Sequence, residues 1–295
     1  MTGQPIFTAF EDAQPRLLGL AYRILGSRAD AEDAVQDTFL KWQAADRCGI
    51  DNPIAWLTTA CTRRCLDLLR AAHRSRVSYV GAWLPEPVHT PVDNEAETRL
   101  ELAATLTTAF LLVLERLTPK ERAAYLLHDI FGVSYGEIAE TLDMQESAAR
   151  KLVSRAKANV EQARVRHVTP VERQEALLTA FHGAIASGTS VQLATLLSED
   201  IRLSADGGGK VATIARTLSG KQEVLAFMVE SLHEWWAGYG WRQSEINGSR
   251  GFVLTQDDRT VATVTFGYDE EGRANDIFIM RNPDKLTGFA GGALH

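Results

Sequence analysis

The sequence predicts a multidomain chain, with two all-α domains followed by an α+β domain. Three observations predict it. Apolar residues recur at helical spacing from Phe7 to past Val160. The proline- and acid-rich stretch VSYVGAWLPEPVHTPVDNEAE interrupts that helical part and reads as a linker. After Thr169 the pattern changes to short β-rich runs mixed with helices. The expected boundaries are 5–76, a linker over 77–101, 102–166, and 171–286.

Each element has a local reason. Leu17, Leu18, Ala21, Ile24 and Leu25 line one helix face, and Gly26 ends that helix. A second helix covers Ala29 to Trp42, with acids in its first turn and Val35, Phe39 and Trp42 facing inward. Pro53 falls in the first turn of a third, where a missing N–H costs least. Thr118, Pro119 and Glu121 together form a strong start signal for a later helix. Beyond Thr169, helices are expected over Val171 to Gly188, Val191 to Leu197 and Gly220 to Trp236. Strands are expected at IRLSA, VATIARTL, GFVLT, TVATVTFGY and DIFIM, with turns at DGGGK and DEEGR, giving helices on a curved antiparallel sheet.

Composition narrows the class. Of 295 residues 45% are hydrophobic, which suits globular cores, and no apolar run is long enough to span a bilayer. The start MTGQPIFTAF lacks the layout of a secretory signal, so a cytoplasmic location is expected. Cys61 and Cys65, one helical turn apart, read as small core thiols; a zinc site with Cys48 and His73 lacks the C-x-x-C spacing. Neither a cofactor nor a metal is expected.

Charge is unevenly placed. The chain is acidic overall, net -7, yet Cys61 to Arg76 holds five Arg and one Asp, net +4. Glu146 to Pro170 is also +4, whereas the chain from Val171 onward is -5. Two local basic patches can meet phosphates within a negative overall field. The second patch lies in SYGEIAETLDMQESAARKLVSRAK, which fits a helix-turn-helix. Ile138, Ala139 and Leu142 pack inward on its first helix, and Ala149, Val153 and Ala156 on its second. That leaves Ser147, Arg150, Lys151, Ser154, Arg155 and Lys157 outward, a face able to enter a major groove. Asp143 stands where such turns often carry glycine, and it tolerates positive φ better than most residues. The plainer alternative for both patches is a solvated basic face.

DAEDAVQDTFLKW followed by NPIAWLTTACTRRCLDLLR resembles region two of a bacterial extracytoplasmic-function sigma factor. LTPKERAAYLLHDIFGVSYGEIAETLDMQESAARKLVSRAK resembles region four of the same family. WLPEP, DGGGK and NPDKL are similar to motifs of a subgroup with a fused SnoaL-like carboxy-terminal domain. The resemblance implies a region-two helical bundle, a region-four helix-turn-helix and an α+β SnoaL-like cone. It implies core RNA polymerase as partner (the β′ clamp helices and the β subunit), with promoter DNA as the other.

On that resemblance, Asp30, Glu32, Asp33, Gln36, Asp37 and Phe39 would face the clamp helices, where an acidic helix suits a basic coiled coil. Acids in a first turn also satisfy the helix dipole, though that does not account for Asp37. The next helix and its preceding loop, with Asp51 and Asn52, would melt and read the minus-ten element, and Trp56 is more at home in the core. Arg63, Arg64, Arg70 and Arg74 would hold the strand, while Ser147, Arg150, Lys151 and Arg155 would read the minus-thirty-five element.

For the carboxy-terminal domain the resemblance implies an in-built regulator. Trp83, Leu84, Pro85, Glu86 and Pro87 of the linker would meet Asp206, Gly207, Gly208, Gly209 and Lys210, together with Asn282, Pro283, Asp284 and Lys285. DGGGK is not a P-loop, because Lys210 precedes a β-rich run rather than a helix. His182, Asp206, His233 and Tyr239 are the acid–base groups an enzyme would use. The expectation is a non-enzymatic, monomeric, membrane-free factor with an unidentified small ligand in the carboxy-terminal pocket. The alternatives are a ligand-sensing DNA-binding regulator and a SnoaL-like enzyme fused to a DNA-binding module.

Overall fold

A computed structural model describes residues 4–46, 49–76, 79–89, 104–163 and 169–289, the side chains of 4–7 and 72–76 excepted. The chain divides into two compact units: Met1–Ser78 with Val113–Ala163, and Tyr79–Leu112 with Arg164–His295. Among the described residues no helix is long and apolar enough to cross a membrane.

The first unit opens with three packed helices: α1 (Gln4–Leu25), α2 (Arg28–Ala44) and α3 (Pro53–Arg76). Gly26, at φ 67°, ends α1, and the Ser27 hydroxyl caps α2 by accepting from the Asp30 N–H. Leu17, Leu20, Ile24, Trp42 and Leu57 fill the space between them, with Cys61 and Cys65 buried in the same core. A hydrogen bond with Cys61 and burial together push the Cys65 thiol up, so it is an inert core group. Cys48 and the His73 side chain lie outside the described residues.

The later helices are α4 (Thr108–Glu115), α5 (Pro119–Tyr125), α6 (Tyr135–Leu142) and α7 (Glu146–Gln162). α5 starts at the predicted signal, with Thr118 and Glu121 completing a reciprocal capping box and Pro119 in the first turn. It runs on into a π-helical turn, Leu126–Ile130. The buried Arg122 links these helices to the first three: its Nη1 donates to the Ile24 carbonyl at 2.6 Å and to Glu115 at 2.5 Å. Arg16 Nη2 likewise donates to the Phe131 carbonyl at 2.6 Å. These arginines lie in no basic run, so charge patterning does not single them out.

In the second unit, helices α8 (Val171–Ser187), α9 (Val191–Leu196) and α10 (Lys221–Phe227) accompany a six-stranded sheet. Its strands are β1 (Leu197–Asp206), β2 (Leu218–Ser219), β3 (Gly240–Ile246), β4 (Ser249–Gln256), β5 (Arg259–Tyr268) and β6 (Ala274–Met280), in the order β2-β1-β6-β5-β4-β3. Phe181 from α8 lies against Phe252 and Phe266 of the sheet, beneath a continuous apolar core.

Three expectations are corrected. The sheet is mixed rather than antiparallel, because β1 runs parallel to β6. VATIARTL supplies only Leu218 to the two-residue β2: the Ala212 carbonyl accepts from the Arg281 side chain, and Ile214 packs toward the core from an irregular segment. GWRQSEI is an unexpected strand. As β3 it pairs along its length with β4 at the sheet edge and, among the described residues, meets His89 only at its last residue, Ile246, so it keeps polar residues where an inner strand would be apolar.

Candidate functional site

The helix-turn-helix is α6 and α7. A Ser134–Glu137 capping box starts α6, and the bonds from Ser134 hold the Glu137 carboxyl below the usual range. Asp143 closes α6 at φ 52°, in the left-handed region. Ile138, Ala139, Leu142, Ala149, Val153 and Ala156 are buried. Ser147, Arg150, Lys151, Ser154, Arg155 and Lys157 are all exposed. Arg150 pairs with Glu146 at 2.6 Å and sits 4.4 Å from the Tyr135 ring centroid. Both groups of that ion pair are half exposed, so it adds little stability and leaves the guanidinium available.

Arg155 is anchored differently, through Nε to Glu121 at 2.7 Å. Burial raises the Glu121 pKa, but bonds from the Thr118 hydroxyl and N–H and from Arg155 outweigh it and hold the carboxyl below its usual range. Its stabilising contribution is therefore present above the ordinary carboxylate pKa and lost as pH falls through the lowered folded value. Glu121→Ala is expected to cost about 1–2 kcal/mol of unfolding free energy at neutral pH, with the difference from wild type shrinking in acid. Urea unfolding at both pH values measures it, and a pH-independent difference would remove the ionised cap from the account.

On α3 the predicted strand-holding residues divide. Asn52 accepts from the Ala55 N–H at 3.1 Å and so caps α3. Arg64 pairs with Asp37 at 2.7 Å, and Arg70 lies exposed 3.5 Å from Asp67. Arg63 reaches α6, its Nη2 donating to the Glu140 carbonyl at 2.7 Å and its Nε to the Thr141 carbonyl at 3.0 Å. The Thr59 and Thr141 hydroxyls meet at 2.9 Å beside it. Arg63 thus caps the negative end of α6, a job usually worth about 0.3–1 kcal/mol. A cleft of about 420 Å³ opens there, lined by Lys41, Trp56 and Arg63 on one side and Glu137 and Glu140 on the other. Trp56 is partly buried, 5.3 Å from the Trp42 ring. The Arg74 side chain is outside the described residues.

On α2, Glu32, Asp33 and Gln36 are exposed and Asp30 and Asp37 are half-buried. Phe39 turns instead toward Phe10, 4.7 Å between ring centroids. Leu40, 54% exposed, completes the spacing Asp33, Gln36, Asp37, Leu40 along one face. Sequence reading passed over Leu40 because an apolar residue on a helix is assigned to the core by default.

The three short motifs of the second unit meet around Asp206, whose side chain is fully buried. Its Oδ1 accepts from the Tyr79 hydroxyl at 2.6 Å and the Gly208 N–H at 2.9 Å. Its Oδ2 accepts from the Leu84 N–H at 2.9 Å and the Lys285 ammonium at 2.8 Å. Lys285 also donates to the Leu84 carbonyl and lies 4.5 Å from the Trp83 ring centroid. Asn282 Nδ2 donates to the Tyr79 oxygen, and Lys210 pairs with Asp284. The turn requires glycine at two points: a Cβ on Gly207 would lie 2.4 Å from the Val211 carbonyl, and one on Gly208 2.3 Å from Asn282. Leu84, Pro85, Glu86 and Pro87 are buried, while Pro283 is exposed and Gly209 is exposed at φ 70°. Burial and the bond to Asp206 push the Tyr79 hydroxyl's pKa up, so it stays a donor. Tyr79 was missed, although a tyrosine in a glycine- and proline-rich linker is itself a signal of docking.

The four acid–base candidates do not assemble. His233 Nδ1 lies 2.6 Å from the Ile185 carbonyl, His182 packs on Trp241 and Tyr239 on Trp236, while Asp206 is used by the motif cluster.

A three-helix bundle followed by a helix-turn-helix with a cationic outer face defines the helical segments as those of a transcription initiation factor. Sigma-70 region 2 matches residues 9–75 and sigma-70 region 4 matches residues 107–160. The chain belongs to the extracytoplasmic-function sigma-70 family, in the group whose carboxy-terminal part is a SnoaL-like α+β domain. It is 36% identical over 289 residues to ECF RNA polymerase sigma factor SigJ of Mycobacterium tuberculosis, which covers 95% of this chain and 92% of that one. The crystal structure of the M. tuberculosis extracytoplasmic function sigma factor SigJ matches with a TM-score of 0.73 at 32% identity, over 96% of this chain and 98% of that one. The probable ECF RNA polymerase sigma factor SigI of the same species is 32% identical over 186 residues, 62% of this chain and 64% of that one.

Proposed function

We propose that the chain binds core RNA polymerase, directs it to minus-thirty-five and minus-ten promoter elements, and is modulated by its own carboxy-terminal domain. The observation that carries this reading is the exposed cationic face of α7 on a fully packed helix-turn-helix, in one chain with the exposed acidic face of α2. A DNA-binding repressor accounts for the first face but has no use for the second. Asp33, Gln36 and Asp37 would meet the basic clamp helices, with Leu40 as an apolar anchor. Ser147, Arg150, Lys151 and Arg155 would enter the major groove. The functional divisions follow the sequence reading, with region two at 5–76, region four at 102–166 and the regulatory domain at 171–286.

The Arg63 contact belongs to a resting state. Its Nε–Nη2 fork, the edge best suited to a promoter phosphate, is occupied while Nε and Nη2 serve the α6 carbonyls. The acidic wall of Glu137 and Glu140 stands where a DNA strand would pass Trp56 and Arg63. A clasp worth about 1 kcal/mol yields to several phosphate contacts, so polymerase and promoter together can part the helices. For the modulation, support comes from the linker segment Tyr79–Val88, which bonds to β1 and the NPDKL turn and so ties the connection between the sigma segments to the carboxy-terminal fold.

Transcription in vitro with core polymerase tests both halves, using the full chain and its Arg150→Ala and Lys285→Ala forms. Arg150→Ala should lower output by roughly tenfold, the effect of losing about 1.4 kcal/mol of base contact. Lys285→Ala, which loosens the linker, should change output at least about twofold at matched concentration of folded protein. A wild-type chain that supports no transcription removes the sigma reading, while Lys285→Ala equal to wild type removes only the modulation.

A further inference from the structure

We infer that the second unit carries a binding site for a small aromatic carboxylate, built on Arg281 and Trp236. The starting point is two hydrogen-bond donors that the fold leaves unused. The indole Nε1 of Trp236, a residue 2% exposed, has no partner among the described residues, and neither has the buried Nε of Arg281. Buried donors are almost always satisfied, and leaving one unmade costs about 1–3 kcal/mol. Both residues line one cavity, so a single acceptor there answers both.

The chemistry of the acceptor follows from how Arg281 is held. Its Nη1 donates to the Ala212 carbonyl at 2.9 Å, which anchors the guanidinium and leaves the Nε–Nη2 edge over. That edge is the planar fork that matches the two oxygens of a carboxylate. No ion pair to Arg281 occurs among the described residues, because the neighbouring Asp206 carboxylate is taken by Tyr79, Leu84, Gly208 and Lys285. The guanidinium therefore brings a positive charge with no described carboxylate partner to a cavity whose other walls are apolar apart from Thr213 and the Trp236 N–H.

The walls select the rest of the ligand. Phe227, Leu232, Trp235 and Ile279 line the same cavity. Phe227 and Trp235 meet edge-to-face at 5.7 Å, an arrangement that accepts another ring. As it stands the cavity measures about 20 Å³, room for one water-sized group. A larger ligand needs one wall to move, and the fold supplies a movable one. Trp235 is 53% exposed, so its ring can swing outward without opening the core. It follows a π-helical turn, Met228–Leu232, inserted between Phe227 and His233, and such turns concentrate at binding sites. The carboxylate would sit on Arg281 and Trp236 while its ring takes the place Trp235 vacates. The site needs nothing from the sigma segments and stands whether or not the domain modulates transcription.

Phenylacetate titrated into the full chain tests this, followed by calorimetry and by tryptophan fluorescence, with phenylacetamide as the neutral isostere. Saturable binding of phenylacetate is expected, at least about tenfold tighter than phenylacetamide, since a hydrogen bond to a charged group is the stronger kind. Arg281→Gln should weaken phenylacetate at least about tenfold, and Trp236→Phe, which keeps a ring but loses the N–H, several-fold. Arg281→Lys retains the charge without the fork and should fall between wild type and Arg281→Gln, which keeps the test alive if the glutamine form folds poorly. No saturation at roughly millimolar phenylacetate would mean the cavity holds water only and overturns the site. Equal affinity for the amide, or binding undiminished in folded Arg281→Lys and Trp236→Phe, overturns the carboxylate assignment.

Discussion

Asp206→Ala is expected to destabilise the second unit by about 3–5 kcal/mol, the cost of removing one partner from a buried charge pair. The carboxylate is fully buried and Lys285 is 15% exposed, so water cannot replace the lost oxygen atoms. Four donors lose their acceptor together: the Tyr79 hydroxyl, the Leu84 and Gly208 N–H groups and the Lys285 ammonium. Lys285 keeps the Leu84 carbonyl and its place near the Trp83 and Tyr79 rings, which limits the loss but does not cancel it. Chemical unfolding followed by tryptophan fluorescence reads the effect. A loss below about 1 kcal/mol would mean that the cluster is solvated and that Asp206 is one surface acceptor among many.

The second large effect concerns the Arg63 clasp. Thr59→Cys combined with Thr141→Cys places two sulfurs where hydroxyls now stand 2.9 Å apart. Once oxidised, the pair is expected to hold α3 against α6 by a covalent bond in place of contacts worth about 1 kcal/mol. Promoter-dependent transcription should then fall at least about tenfold and return on reduction, because a clasp that strong no longer yields to phosphate contacts. Binding to core polymerase through α2 should persist in both redox states. The wild-type chain, with Cys61 and Cys65 buried, controls for oxidation elsewhere. Full transcription by the oxidised pair would show that α3 and α6 need not part when the promoter is engaged.

Local chemistry was legible in the sequence wherever a residue acts on its own neighbours. The capping box at Thr118 and Glu121, the left-handed Asp143 and the inward face of the helix-turn-helix depend on spacings of three or four residues, which the chain displays directly. The outward basic face of α7 followed from the same period. β3 was not legible, since an edge strand laddered to one neighbour and bridged to His89 only at its end tolerates polar residues and carries no strong alternation. VATIARTL misled for the converse reason: its alternation is β-like, but side-chain contacts from Arg281 and the core claim its backbone and its isoleucine.

What the sequence by itself determined is the order of the two sigma segments, the character of each helix face and the identity of the three short motifs. Helical periodicity and turn chemistry are nearest-neighbour properties, so the residues carry them without knowing the fold. Only the tertiary structure decided which partner each charged group takes. Arg63, Arg64 and Arg122 read alike as cations, yet one caps α6, one pairs with Asp37 and one lies buried between helices. Asp206 collects four donors from positions as far apart as Tyr79 and Lys285, and Arg281 keeps a donor edge that no described residue fills. Long-range pairing depends on which groups burial brings within about 3 Å, and no spacing along the chain encodes that distance.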